Sequence, residues 1–110
     1  MKIVSAHFER FADKYESNPT KKPIPLDVIM NALGLSKPFI PKGGLKVKTY
    51  IRRFVRYRGG AILDPFPGER KVLVLLVNGV EYRFPELQTN SGVNYFDIQI
   101  PALVLLSLAS

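Results

Sequence analysis

The sequence predicts an α+β fold, with two or three helices packed on a small antiparallel sheet that includes a hairpin over residues 71–84. Three observations predict it. Apolar residues recur at helical spacing in the first half of the 110-residue chain. After residue 70 the pattern changes to strand-like runs. Asn78-Gly79 then separates two of those runs, and that pair favours a tight hairpin turn. The length fits a single domain, residues 1–110, with one core. With no cysteine in the chain, disulfides, thiolate metal sites and cysteine nucleophiles have no material. The apolar runs 72–77 and 102–106 fall far short of the roughly 20 residues needed to cross a bilayer. Lys2 and His7 interrupt the start too early for a signal peptide. A soluble, cytoplasmic protein with no membrane partner is expected.

Each element follows from local pattern. Val4, Phe8, Phe11, Ala12 and Tyr15 recur at helical spacing opposite Glu9, Arg10, Asp13 and Lys14, which predicts an amphipathic helix over 3–16. Asn18-Pro19 stops it, and 20–25 reads as a Pro- and Lys-rich connector. A second helix is predicted over 26–33, with Leu26, Ile29, Met30 and Leu33 as its buried stripe. Pro25 suits its start, Asp27 the positive end of its dipole, and Gly34 its C-terminal cap. Residues 36–44 hold two prolines and two glycines and read as a loop. Turn chemistry at 64–68 leads into an apolar strand at 71–77. The alternating strand 80–84 follows, with Val80, Tyr82 and Phe84 facing inward. Residues 94–100 form a further strand, packed through Tyr95 or Phe96. Residues 101–110 are apolar on all sides and read as a buried helix or strand.

Charge singles out one segment. The chain carries sixteen Lys plus Arg against nine Asp plus Glu, a net charge of +7. Lys42, Lys46, Lys48, Arg52, Arg53, Arg56 and Arg58 lie within 42–58 without an acidic residue among them, and the remaining nine basic residues balance the nine acids. On a helix, Val47, Tyr50, Ile51, Phe54, Val55 and Tyr57 share one side while Lys46, Lys48, Thr49, Arg52, Arg53 and Arg56 share the other. On a strand, Arg53 falls among apolar residues, and Tyr50 and Phe54 fall among charges. Periodicity therefore predicts a helix, although the Val, Thr, Tyr, Ile and Phe content suits a strand.

Two helices, a basic helix and a hairpin look like a winged helix-turn-helix arrangement, and the stretch from Leu26 to Ser36 resembles its first helix and turn. That resemblance implies a third helix in the major groove and a hairpin on the backbone. Clustered cations attract phosphate and release counterions. The expected function is therefore non-enzymatic nucleic-acid binding through the seven basic residues. Duplex DNA is the expected ligand, ahead of RNA, and a small regulator fits that reading. If 45–58 is instead a strand, Tyr50 and Phe54 become a stacking platform for single strands. The alternative function is a protein-interaction module docking the basic face on an acidic partner such as a nucleic-acid-processing enzyme. A homodimer binding two half-sites is a further expectation.

Catalysis has little material. His7 is the sole histidine, so a Ser-His-Asp triad has nothing in reserve, and it reads as ordinary surface. Asp64 with Glu69-Arg70-Lys71 resembles the carboxylate and Glu-x-Lys arrangement of metal-dependent nucleases. The gap is short for two carboxylates on neighbouring strands, and Glu69 precedes the strand rather than lying in it. No catalytic residue, metal or cofactor is expected.

Overall fold

The computed structural model describes residues 1–55 and 62–101. These form two antiparallel sheets around a shared core. In chain order the elements are β1 (Ile3–Arg10), β2 (Lys22–Ile24), α1 (Leu26–Leu33), β3 (Leu45–Tyr50), β4 (Lys71–Val77), β5 (Val80–Pro85), β6 (Leu87–Gln88) and β7 (Asn94–Ile100). One sheet has the order β2-β1-β4-β5 and the other β3-β7-β6. Single 3₁₀ turns follow β1 at Phe11–Asp13 and β3 at Ile51–Arg53. The architecture is mainly β, with one α-helix among the described residues. This corrects the expected α+β fold of two or three helices on a small sheet.

The first correction is residues 3–16. They form β1 and a 3₁₀ turn, because β1 is flanked on both sides, by β2 and β4. Two neighbours satisfy the strand's backbone, and Ala6 and Phe8 then alternate into the core. A register shift between Ile3 and Ser5 resets the alternation, so Ile3 is buried as well. The helical stripe does not hold, since Val4 is 52% and Tyr15 90% exposed. Part of the expected connector, Lys22–Ile24, is the edge strand β2. An edge tolerates Pro23, which has no N–H to give a second neighbour.

The second correction is the basic segment. Leu45–Tyr50 is a strand, antiparallel to β7 with Thr49 opposite Phe96 and Tyr50 opposite Tyr95. Local periodicity favours a helix, but seven-residue β7 presents Phe96, Ile98 and Ile100 as a buried face that Thr49, Val47 and Leu45 cover only in strand form. Leu45 and Val47 pack against that core. Without a third helix, and with β4 buried on both faces rather than exposed as a wing, the winged-helix resemblance fails.

Several expectations hold. The helix at 26–33 ends at Gly34, whose φ of 71° is left-handed, and the Gly34 and Leu35 N–H groups close on Asn31 and Met30 oxygens. Its fully buried residues are Val28, Ile29, Ala32 and Leu33, so the stripe is rotated slightly from the expected one. Asn78 and Gly79 take φ values of 48° and 80°, the type I′ combination, and connect β4 to β5. The strand at 94–100 is present, and Phe96 rather than Tyr95 is the buried member. Phe8, Phe54 and Phe96 join the two sheets, with ring centroids 5.4 to 5.8 Å apart. Such pairs add about 0.5–1.5 kcal/mol each beyond area burial. Arg56, Arg58 and the expected C-terminal element at 102–110 lie outside the described residues. No helix among the described residues is long and apolar enough to cross a membrane.

Candidate nucleic-acid interface

Strand alternation sorts the basic segment into two faces. Leu45, Val47 and Thr49 turn inward, whereas Lys46, Lys48 and Tyr50 turn outward. On β7 the outward residues opposite them are Gln99, Asp97 and Tyr95. Tyr50 and Tyr95 are direct cross-strand partners, with centroids 6.4 Å apart at 57°. The Lys48 ammonium lies 4.2 Å from the Tyr95 ring centroid, and the Arg52 guanidinium 5.2 Å from that of Tyr50. Lys48 is turned toward Tyr95 rather than paired with Asp97, its partner in register. The result is a two-ring aromatic step with a cation over each ring.

Of the seven expected site residues, the structure brings Lys46, Lys48 and Arg52 to this face. Arg53 is exposed beside it in the 3₁₀ turn. Lys42 is exposed at the far end of β3, in the turn closed by the Gly44 N–H on the Pro41 oxygen. Among the described residues, none of these five joins an ion pair. Phe54 does not join the platform, because it is fully buried. Tyr95 takes its place. Composition held no signal for that choice, since either Tyr95 or Phe96 fits the core until the register with β3 is known.

The remaining charged groups lie elsewhere. Glu9 is 2% exposed on the outer side of the β1 sheet. It accepts from Arg83, and its Oε2 lies 2.6 Å from His7 Nε2, so His7 is engaged rather than free surface. Burial pushes the Glu9 carboxyl up, but hydrogen bonds from Arg83 and His7, and their charges, outweigh it and hold the group below its ordinary value. The same contact with Glu9 raises Arg83.

The nuclease-like trio, Asp64, Glu69 and Lys71, lines one cavity, but its two carboxylates are held by different cations. Lys71 Nζ lies 3.5 Å from Asp64, while the Glu69 carboxylate turns to Arg10 at 3.3 Å. Among the described residues, no three acidic or histidine side chains gather to hold a metal ion.

Compared with protein-family models, curated proteins and solved structures, the chain matches none.

Proposed function

We propose that this protein binds single-stranded nucleic acid, without acting on it as an enzyme, through the outer face of β3 and β7. The observation that supports this reading is the Tyr50–Tyr95 pair set among Lys46, Lys48 and Arg52. Single strands offer unstacked bases for aromatic rings and a phosphate track for cations, and this face carries both kinds of group. Cation–π contacts at exposed sites contribute about 0.5–1 kcal/mol. Stacking of a base on an aromatic ring contributes about 1–3 kcal/mol. A base therefore displaces the cation, which remains close enough to meet the phosphate.

Duplex recognition is a poorer fit than the sequence suggests. A side chain reads the major groove from a helix or a two-stranded ribbon that enters it. The helix α1 carries no basic residue and buries its apolar stripe in the core. Docking on an acidic protein would use the cations but would leave the tyrosine pair without a role.

Fluorescence anisotropy with labelled single strands of DNA and RNA, of about 12 nucleotides, and with the matching duplex tests the proposal. Single strands should bind more tightly than duplex. Tyr95→Ala should lower affinity about tenfold. Lys48→Ala combined with Arg52→Ala should reduce the slope of log affinity against log salt by about 1.4, two phosphate contacts' worth. Absence of single-strand binding at low salt, or binding indifferent to Tyr95→Ala, refutes the proposal.

A further inference from the structure

Among the described residues the sheets end in edge strands β2 and β5 on one side and β3 and β6 on the other. An edge presents unpaired N–H and C=O groups that a further strand can use, and proteins guard against this with short strands, Pro, Lys or bulges. β2 has three residues, including Lys22 and Pro23, and β6 has two. β3 turns Lys46 and Lys48 outward. β5 has no such guard within Val80–Phe84. Its register with β4 runs unbroken from Val77 opposite Val80 to Val72 opposite Pro85, and that proline stands only at its end.

The same register decides which backbone groups of β5 are free. In an antiparallel pair, alternate residues exchange both main-chain bonds with the residue opposite. The Glu86 N–H donates to the Lys71 oxygen at 2.8 Å, in phase with the pairs Leu73–Phe84, Leu75–Tyr82 and Val77–Val80. Val80, Tyr82 and Phe84 therefore turn their N–H and C=O groups toward β4, and Glu81 and Arg83 turn theirs to the open edge. Among the described residues, no turn, loop or side chain bonds to the Glu81 or Arg83 backbone. Both side chains are exposed on the outer face, 2.7 Å apart, and buried Glu9 anchors Arg83 from behind. Val80, Tyr82 and Phe84 are half-buried on the inner face, where the two rings stack with centroids 6.5 Å apart.

We propose that β5 is a dimerisation edge, pairing antiparallel with β5 of a second copy about a twofold axis at Tyr82. β5 belongs to the sheet that does not carry the tyrosine pair, so the dimer stands or falls independently of single-strand binding. The sequence around the axis is self-complementary, as a twofold interface requires. Glu81 falls opposite the partner's Arg83, and Arg83 opposite the partner's Glu81. These are the residues with free backbone groups, so each pair exchanges both main-chain bonds. Opposite charges directly across a ladder stabilise it, and like charges disfavour it. Tyr82 meets the partner's Tyr82 as the closer, non-hydrogen-bonded pair. Val80 meets the partner's Phe84, which continues the half-buried inner strip across the axis. β3 fails the same test, because a second copy would set Lys46 opposite the partner's Lys48.

Sedimentation velocity of the full chain from about 10 μM to about 1 mM supplies the test, since one pair of strands makes a small interface of the weak, transient class. The wild-type mass should rise from one chain toward two over that range. Glu81→Pro removes an N–H that faces the edge, a position where an edge strand accepts proline. It should weaken association about tenfold while circular dichroism shows the fold intact. Glu81→Arg sets cation against cation at both pairs and should weaken association by a similar factor. The chain has no cysteine, so Tyr82→Cys reads the register directly. Residues paired at the axis lie about 4.5 Å apart at Cα, within reach of a disulfide. With oxidised glutathione, Tyr82→Cys should therefore cross-link about tenfold faster than the exposed control Val93→Cys. A wild-type protein that stays a single chain at the top of the range overturns the dimer, as does association that both Glu81 variants leave unchanged. Equal cross-linking of the two cysteine variants overturns the axis at Tyr82.

Discussion

Thr49→Val should stabilise the protein, although exchanging these two residues in a core is normally unfavourable. Thr49 is 1% exposed, sits opposite Phe96 in the β3–β7 register, and has a buried hydroxyl without a hydrogen-bond partner among the described residues. A buried, unpaired hydroxyl costs about 1–3 kcal/mol. Valine keeps the β-branched shape that suits a strand and removes that cost, at nearly the same volume. The lower end of the range applies, because the new methyl must fit a space packed around an oxygen. The expected gain is about 1 kcal/mol. In urea, with a slope of about 2 kcal/mol per molar, the midpoint should rise by about 0.5 M. Thermal unfolding followed by circular dichroism should shift upward by about 4–8 °C. Thr49→Lys should do the opposite and cost several kcal/mol, because the ammonium would be buried without a counter-charge. A helix over 45–58 would place Thr49 on its polar face, making both substitutions nearly neutral. A neutral Thr49→Lys, or a Thr49→Val that destabilises by 1 kcal/mol or more, would refute the strand register or the orphan hydroxyl respectively.

Two further outcomes follow from side-chain placement. Phe96→Ala should cost about 3–5 kcal/mol in urea denaturation, and Tyr95→Ala on the opposite face of the same strand less than about 1 kcal/mol; equal losses would contradict the assigned faces. The Glu9 carboxyl is held below its ordinary value of 4.5 in the folded state, so its stabilisation is complete above about pH 4.5 and is lost as pH falls through the folded value. Glu9→Gln should therefore cost about 1.5 kcal/mol near neutrality, the low end for charged hydrogen bonds because Arg83 is partly open to water. The gap between variant and wild type should narrow as pH falls below 4.5, and a gap independent of pH would show that the carboxylate charge contributes nothing.

Elements decided by short-range chemistry were legible in the sequence. Asn78-Gly79 specifies a type I′ turn because only such residues adopt two successive positive φ values at little cost. Pro25 and Gly34 bracket α1 for similar steric reasons. The apolar run at 71–77 reads as a covered strand, and that is β4. Residues 3–10 and 45–50 were not legible, because their helical periodicity is real but incidental. Pairing with β4 and β7 overrode it, and pairing over such separations leaves no trace in a local window.

The same division applies to the candidate site. The sequence by itself determined that the excess positive charge lies within 42–58, because charge is additive and needs no fold to count. Only the tertiary structure decided what that charge accompanies. Strand alternation sent Tyr50 outward, the 3₁₀ turn after β3 carried Phe54 into the core and Arg52 over the Tyr50 ring, and the β3–β7 register set Tyr95 beside Tyr50 and within reach of Lys48. Glu81 and Arg83 drew no attention as isolated charges. They became informative once the β4–β5 register turned their backbone groups to an open edge, because a sheet edge exists only in three dimensions.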